Sequence, residues 1–150
     1  MGLATDLGLS GQVDFLGRVP QARLPAYYAA ADACLMPSYS ESFGLVGLEA
    51  QACGTAVVAS RQVGLASVVR DGVTGFLVDG PDPAAYADRM LRLLEEPGLS
   101  ERMGQRAARL ARGRSWQRAA DHLLRRVEQL LREKGEASLA RGTGTSDWQA

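Results

Sequence analysis

Two hydrophobic rhythms divide the chain. Before residue 80 the apolar positions come in short runs: Val13-Asp14-Phe15-Leu16, Ala33-Cys34-Leu35-Met36, Val57-Val58-Ala59 and Gly75-Phe76-Leu77-Val78. Each is too short for a helix and reads as a strand. The third is β-branched and apolar throughout, as in a parallel strand buried on both faces. Helical spacing fills the gaps: Gln21 to Ala31 carries Leu24, Tyr27 and Tyr28 on one face, with Pro25 tolerable only in its first turn. Phe43 to Gly54 and Leu65 to Val69 read as two further helices, and Met1 to Gly8 as the tail of another.

After the turn Asp79-Gly80-Pro81-Asp82-Pro83 the rhythm is helical. Pro83 suits the first position of a helix with Tyr86, Met90, Leu93 and Leu94 on one side. Pro97-Gly98 ends it, and Leu99 to Arg112 forms a second, with Met103, Ala107 and Leu110 inward. Ser115 caps a third through Lys134, striped by Leu123, Leu124, Val127, Leu130 and Leu131, and Trp116 is expected as a core anchor at its start. From Gly135 to Ala150 the Gly, Ser, Thr and Ala content predicts a disordered tail. The expected fold is therefore α/β, a Rossmann-like parallel sheet over residues 1–134 with a helical C-terminal segment.

Ligands of such sheets bind beyond the carboxyl ends of the strands. That places the loop Ser38 to Glu41 in the site, within the stretch Pro37 to Thr55. It reads as a strand exit, a polar loop, and a helix with Ser42 as N-cap and Gly54 as its left-handed stop. A helix start offers free N–H groups and a positive dipole end to an anion. At about 1.5 Å of rise per residue, Glu49 lies only ~7.5 Å along the axis from Gly44. Glu41, the amides of Phe43, Gly44 and Leu45, and Glu49 can thus meet one extended ligand. A nucleotide sugar fits, with its phosphates at the helix start and its hydroxyls on the carboxylates. Taken alone, two glutamates at this spacing read instead as a solvated loop acid and a surface helix residue.

The surrounding residues shift that balance. P-S-Y-S-E-S-F-G-L-V-G-L-E, followed by A-Q-A-C-G-T-A-V-V-A-S, resembles the donor motif of retaining glycosyltransferases of the GT-B fold. The resemblance runs from about Val13 to Trp116. Its wording is nearest an actinobacterial branch that acts on inositol 3-phosphate. It implies a donor-binding domain lacking its opening part, with Glu49 on the ribose hydroxyls and Glu41, the candidate catalytic residue, on hydroxyls of the transferred sugar. Ser42, Phe43, Gly44 and Leu45 would border the phosphates. Val19, after Leu16, matches a backbone contact to the uracil, and Gly64 lies in a turn beside the sugar. There Val63 stands where the family usually has glycine, a departure if the turn wants positive φ. Arg18 and Arg23 copy the spacing of the family's diphosphate clamp but stand too near Glu41, and read as surface arginines.

Composition sets the remaining bounds. A chain of 150 residues, 46% hydrophobic with zero net charge, suits one globular domain and implies no nucleic-acid partner. Of its 17 basic residues only Lys134 is lysine. Cys34 and Cys53 lack metal-ligand spacing and read as reduced thiols of a cytoplasmic protein. No apolar run approaches the ~20 residues of a membrane span. His122, the only histidine, reads as structural. No metal or cofactor is expected, since the nucleotide sugar, UDP-linked by preference, is substrate.

The expected function is sugar transfer from a nucleotide diphosphate to an acceptor alcohol with retention. The acceptor side would come from a missing N-terminal domain, so the 150 residues alone are expected to be inactive. Two rivals stay open: a nucleotide-sugar-binding relic without chemistry, and a sugar-nucleotide epimerase of the same architecture.

Overall fold

Strand β2, Ala56–Ser60, is the middle of three parallel strands in the order β1-β2-β3, with β1 at Ala33–Met36 and β3 at Gly75–Val78. The computed structural model describes residues 2–142, with side chains as far as Lys134. Its helices are α1 Gly2–Asp6, α2 Leu24–Ala30, α3 Leu45–Ala52, α4 Val63–Val68, α5 Pro83–Glu95, α6 Leu99–Ala111 and α7 Trp116–Gly142, with a 3₁₀ turn at Gln21–Arg23. Two compact units result, residues 1–108 and 109–150.

Every residue of β2 is buried. Its side chains alternate: Ala56 and Val58 join Phe76, Val78, Tyr86, Leu93, Leu99 and Met103 in one core. Val57 and Ala59 join Met36, Ala50, Leu65, Val69 and Leu77 in the other. The sheet is thus covered on both faces, as the apolar run predicts. The parallel register Met36↔Ala59 and Ser60↔Val78 brings the strand exits to one rim.

Glycine lets the layers close. A Cβ on Gly47 of α3 would sit 3.2 Å from Met36 Sδ, and one on Gly104 of α6 would collide with the Gly54 carbonyl oxygen. Gly54 itself has φ +87°. Its N–H donates to Gln51 O and that of Thr55 to Ala50 O, each at 3.0 Å. This is the paired closure of a left-handed helix stop, at the residue expected for it.

Several expectations need correction. Val13 to Leu16 is irregular, with Phe15 and Leu16 exposed. A strand exists only with a ladder partner, and the three described strands pair among themselves. Helix α3 begins at Leu45, not near Phe43, and Ser42 does not cap it. Leu94 is exposed while Leu93 is buried, since successive side chains on a helix point about 100° apart and here only one of the two faces the core. Trp116 is 82% exposed, and the leucine stripe of α7 is exposed as well. Helical spacing tells which side chains share a face, not that another element covers them. Ser115 Oγ does accept from Arg118 N at 3.2 Å, the cap expected there. The helix then runs to Gly142 rather than ending at Lys134. The rest of the stretch expected as a tail, 143–150, lies outside the described residues.

Candidate nucleotide-sugar site

The loop from Pro37 to Gly44 leaves β1 at the rim formed by the strand exits. Its far end is fixed by Gly44, which takes the N-cap position of α3 at φ +88° without any side-chain cap. A Cβ there would be strained by the left-handed backbone and would stand 3.0 Å from Leu65 Cδ2. This explains the late helix start. Gly44 reverses the chain against α4, and only then can helical hydrogen bonds begin, the first from Leu48 N to Gly44 O at 3.0 Å. The opening amides of α3, at Leu45, Val46 and Gly47, precede any intrahelical acceptor.

Glu41 turns inward on its own loop, where its Oε1 accepts from Phe43 N at 3.3 Å. The Phe43 amide, expected as a phosphate donor, is therefore already engaged. Ser42 and Phe43 are exposed. Gly64 is buried in α4 directly against this loop. A Cβ on it would collide with the Glu41 carbonyl oxygen and lie 2.6 Å from both Ser42 C and Phe43 N. Val63 opens α4 as an ordinary helical residue, 90% exposed. The departure from the family turn at Val63 thus requires no positive φ.

Glu49 is half-buried within α3. Its neighbour is Tyr28 of α2, a residue that sequence reasoning placed only on a helix face. Burial pushes the Tyr28 phenol up, and the Glu49 carboxylate adds to this by its charge and a side-chain hydrogen bond. A phenol kept protonated is a donor to that carboxylate. Tyr28 is anchored in turn by Thr55, whose Oγ1 donates to the Tyr28 carbonyl at 2.5 Å. Both cysteines are free thiols. Burial raises Cys34 and Cys53, with Glu49 adding to the second.

The structure thus brings together Glu41, Ser42, Phe43, Gly44, Leu45 and Gly64, with Glu49 further along the same helix. Val19 is half-buried in the irregular segment before Pro20, and Arg18 and Arg23 are exposed. His122 is exposed on α7. A separate cavity of about 570 Å³ opens at the same rim on the α5 side, lined by Leu35, Ser38, Ser60, Gln62, Tyr86 and Met90 among others. None of the eight expected donor residues lines it. Among the described residues no three His, Cys, Asp or Glu side chains gather as a metal site, and no helix is long and apolar enough to cross a membrane.

Three comparisons bear on this site. The family model described as glycosyl transferases group 1 matches residues 2–110. The chain is 49% identical over 122 residues to the D-inositol 3-phosphate glycosyltransferase of Thermobifida fusca, covering 81% of this chain and 28% of that protein. Among solved structures it resembles sucrose-phosphate synthase from Thermosynechococcus elongatus, with a TM-score of 0.81 and 35% identity over 88% of this chain and 33% of that one. It also resembles Anabaena Alr3699/HepE in complex with UDP and glucose, with a TM-score of 0.74 and 30% identity over 81% of this chain and 34% of that one. The chain therefore spans about a third or less of the length of each of these relatives.

Proposed function

Because the chain belongs to the group 1 glycosyl transferases, we propose that it forms the donor half of an enzyme moving a sugar from UDP to an acceptor hydroxyl with retention. The observation that carries this reading is Glu41 beside the uncapped start of α3 at the rim of a parallel sheet, with Glu49 further along the same helix. A diphosphate lying on the amides of Leu45 to Gly47 would meet the positive end of the helix dipole. As the sugar–phosphate bond breaks, negative charge grows on the departing UDP. Fixed amides aimed at that charge stabilise the transition state more than the ground state.

The carboxylates take separate roles in this scheme. Glu49, steadied by Tyr28, accepts from the ribose hydroxyls. Glu41 accepts from hydroxyls of the sugar and holds its ring over the diphosphate; no nucleophilic role is assigned to it. The UDP complex of one structural neighbour supports the choice of nucleotide. The named activity of the Thermobifida relative supports inositol 3-phosphate as acceptor. Acceptor binding falls to a part of the protein beyond the donor half, across a cleft from the rim.

Titration of the purified chain with UDP, GDP and ADP, followed by amide NMR, tests the donor site. Saturable shifts with UDP, centred on Leu45 to Gly47 and Glu49, are expected. Shifts scattered over the surface, or none at millimolar UDP, would remove the reading.

A further inference from the structure

The backbone ladder between β1 and β2 ends at the Met36–Ala59 register. The next residue after β1 is Pro37, which has no N–H with which to continue it. At this point a side chain takes over: Ser60 Oγ, on the last residue of β2, donates to Ser38 O at 2.6 Å. Ser60 is 5% exposed, so its hydroxyl has little water to turn to if this bond is lost.

Ser60 is itself firmly held. Its carbonyl accepts from Gln62 N, and Arg61 N donates to Val78 O, both at 2.8 Å. The β2–α4 connection therefore grips the Pro37–Gly44 loop at two places. Ser60 holds it at Ser38, where it leaves the sheet, and Gly64 presses on it at Glu41 to Phe43. These two supports hold the backbone at Ser38 and at Glu41 to Phe43, and the Glu41 carboxylate is carried on it.

We infer that Ser60 is a positioning residue for Glu41, its hydroxyl setting where the carboxylate meets the sugar of a nucleotide-sugar donor. The inference rests on the donor-site reading above. It differs from a merely structural role in what it affects. A general prop would weaken UDP and UDP-sugar binding together. A positioning role touches only the sugar contact, and only through Glu41.

The test is calorimetric titration of the 150-residue chain with UDP, UDP-glucose and UDP-N-acetylglucosamine. The proteins are the parent, Ser60→Ala, Ser60→Thr, Glu41→Gln and the Ser60→Ala/Glu41→Gln double variant. Loss of one buried hydrogen bond predicts about three- to tenfold weaker binding of the preferred sugar nucleotide in Ser60→Ala, with UDP held within about twofold. Threonine, which keeps the hydroxyl, restores the parent affinity. Ser60→Ala costs clearly less in the Glu41→Gln background than in the parent, because only the weaker neutral bond is left to misplace. Equal losses for UDP and the sugar nucleotide, no loss at all, or full additivity in the double variant would overturn the role of Ser60 alone. A parent that binds no UDP overturns the donor-site reading, and this inference with it.

Discussion

The carboxylate of Glu41 accepts from the amide of Phe43, Oε1 to N at 3.3 Å, two residues further along its own loop. A negative group at this point would repel an anion brought to the start of α3 unless its charge were used on something else. On the proposed reading the hydroxyls of the transferred sugar are that use, since they would donate to the carboxylate without competing for the phosphates.

Glu41→Gln keeps an acceptor for the Phe43 amide and removes only the charge. We expect UDP affinity within about twofold of the parent and sugar-nucleotide affinity about three- to tenfold weaker, the range for losing a charge-assisted bond while a neutral one remains. Calorimetry with UDP and UDP-glucose separates the two. A parallel loss for both ligands would mean that Glu41 holds the loop and not the sugar.

Glu49 should control the nucleotide itself. Two ribose hydroxyls on one carboxylate predict that Glu49→Ala weakens UDP by about tenfold or more, about 1.4 kcal/mol per decade. Tyr28→Phe, which removes the neighbouring phenol, should cost less and should have no further effect once Glu49 is gone. Full affinity for UDP in Glu49→Ala would take the residue out of the site.

Much of this arrangement is legible in local sequence. The strands at Ala33, Val57 and Gly75 follow from short apolar runs, and the stop of α3 follows from Gly54, whose φ of +87° only glycine takes readily. What local sequence hides is set by tertiary contact. Ser42 has the chemistry of a cap, yet Gly44 takes that position because the chain must turn tightly against Leu65. Val13 to Leu16 has strand composition and no ladder partner. Trp116 has the size of an anchor and is exposed. The bond from Ser60 to Ser38 joins residues 22 positions apart, and the Tyr28–Glu49 pairing depends on how α2 meets α3; no spacing rule reports either.

Gly64 is a further case of tertiary demand, and it makes a direct test of the loop geometry. Its Cα faces the backbone of Glu41 to Phe43, which cannot swing aside as a side-chain tip could. Gly64→Ala should therefore destabilise the chain by about 1–3 kcal/mol, as overpacking does. Gly44→Ala should also destabilise it, through left-handed strain. Thermal unfolding measures both. If Gly64→Ala melted with the parent, α4 would not sit on this loop.

The pH dependence of stability has one well-placed reporter, Asp71, in the turn between α4 and β3. Its Oδ2 takes Arg61 Nη2 at 2.7 Å and its Oδ1 takes Leu77 N at 3.0 Å, while Arg61 Nε reaches Asp79 Oδ1 at 2.9 Å. Partial burial works to raise the Asp71 pKa, but the Leu77 amide and the Arg61 guanidinium outweigh it and hold the carboxyl below its ordinary range. The native state therefore binds this proton less readily than the unfolded chain, whose value is about 4. Stability from Asp71 is fully present above about pH 4 and is lost as pH falls through the lower native value. Asp71→Asn keeps an acceptor for Leu77 and removes the charge facing Arg61. Both partners are substantially exposed, 41% and 42%, so the effect at neutral pH is modest and screened by salt. We expect the variant to melt a few degrees below the parent at pH 7, with the two melting curves converging below about pH 4. A gap that stayed constant into acid would mean that Asp71 acts through its shape and hydrogen bonds, and that its charge contributes nothing to the fold.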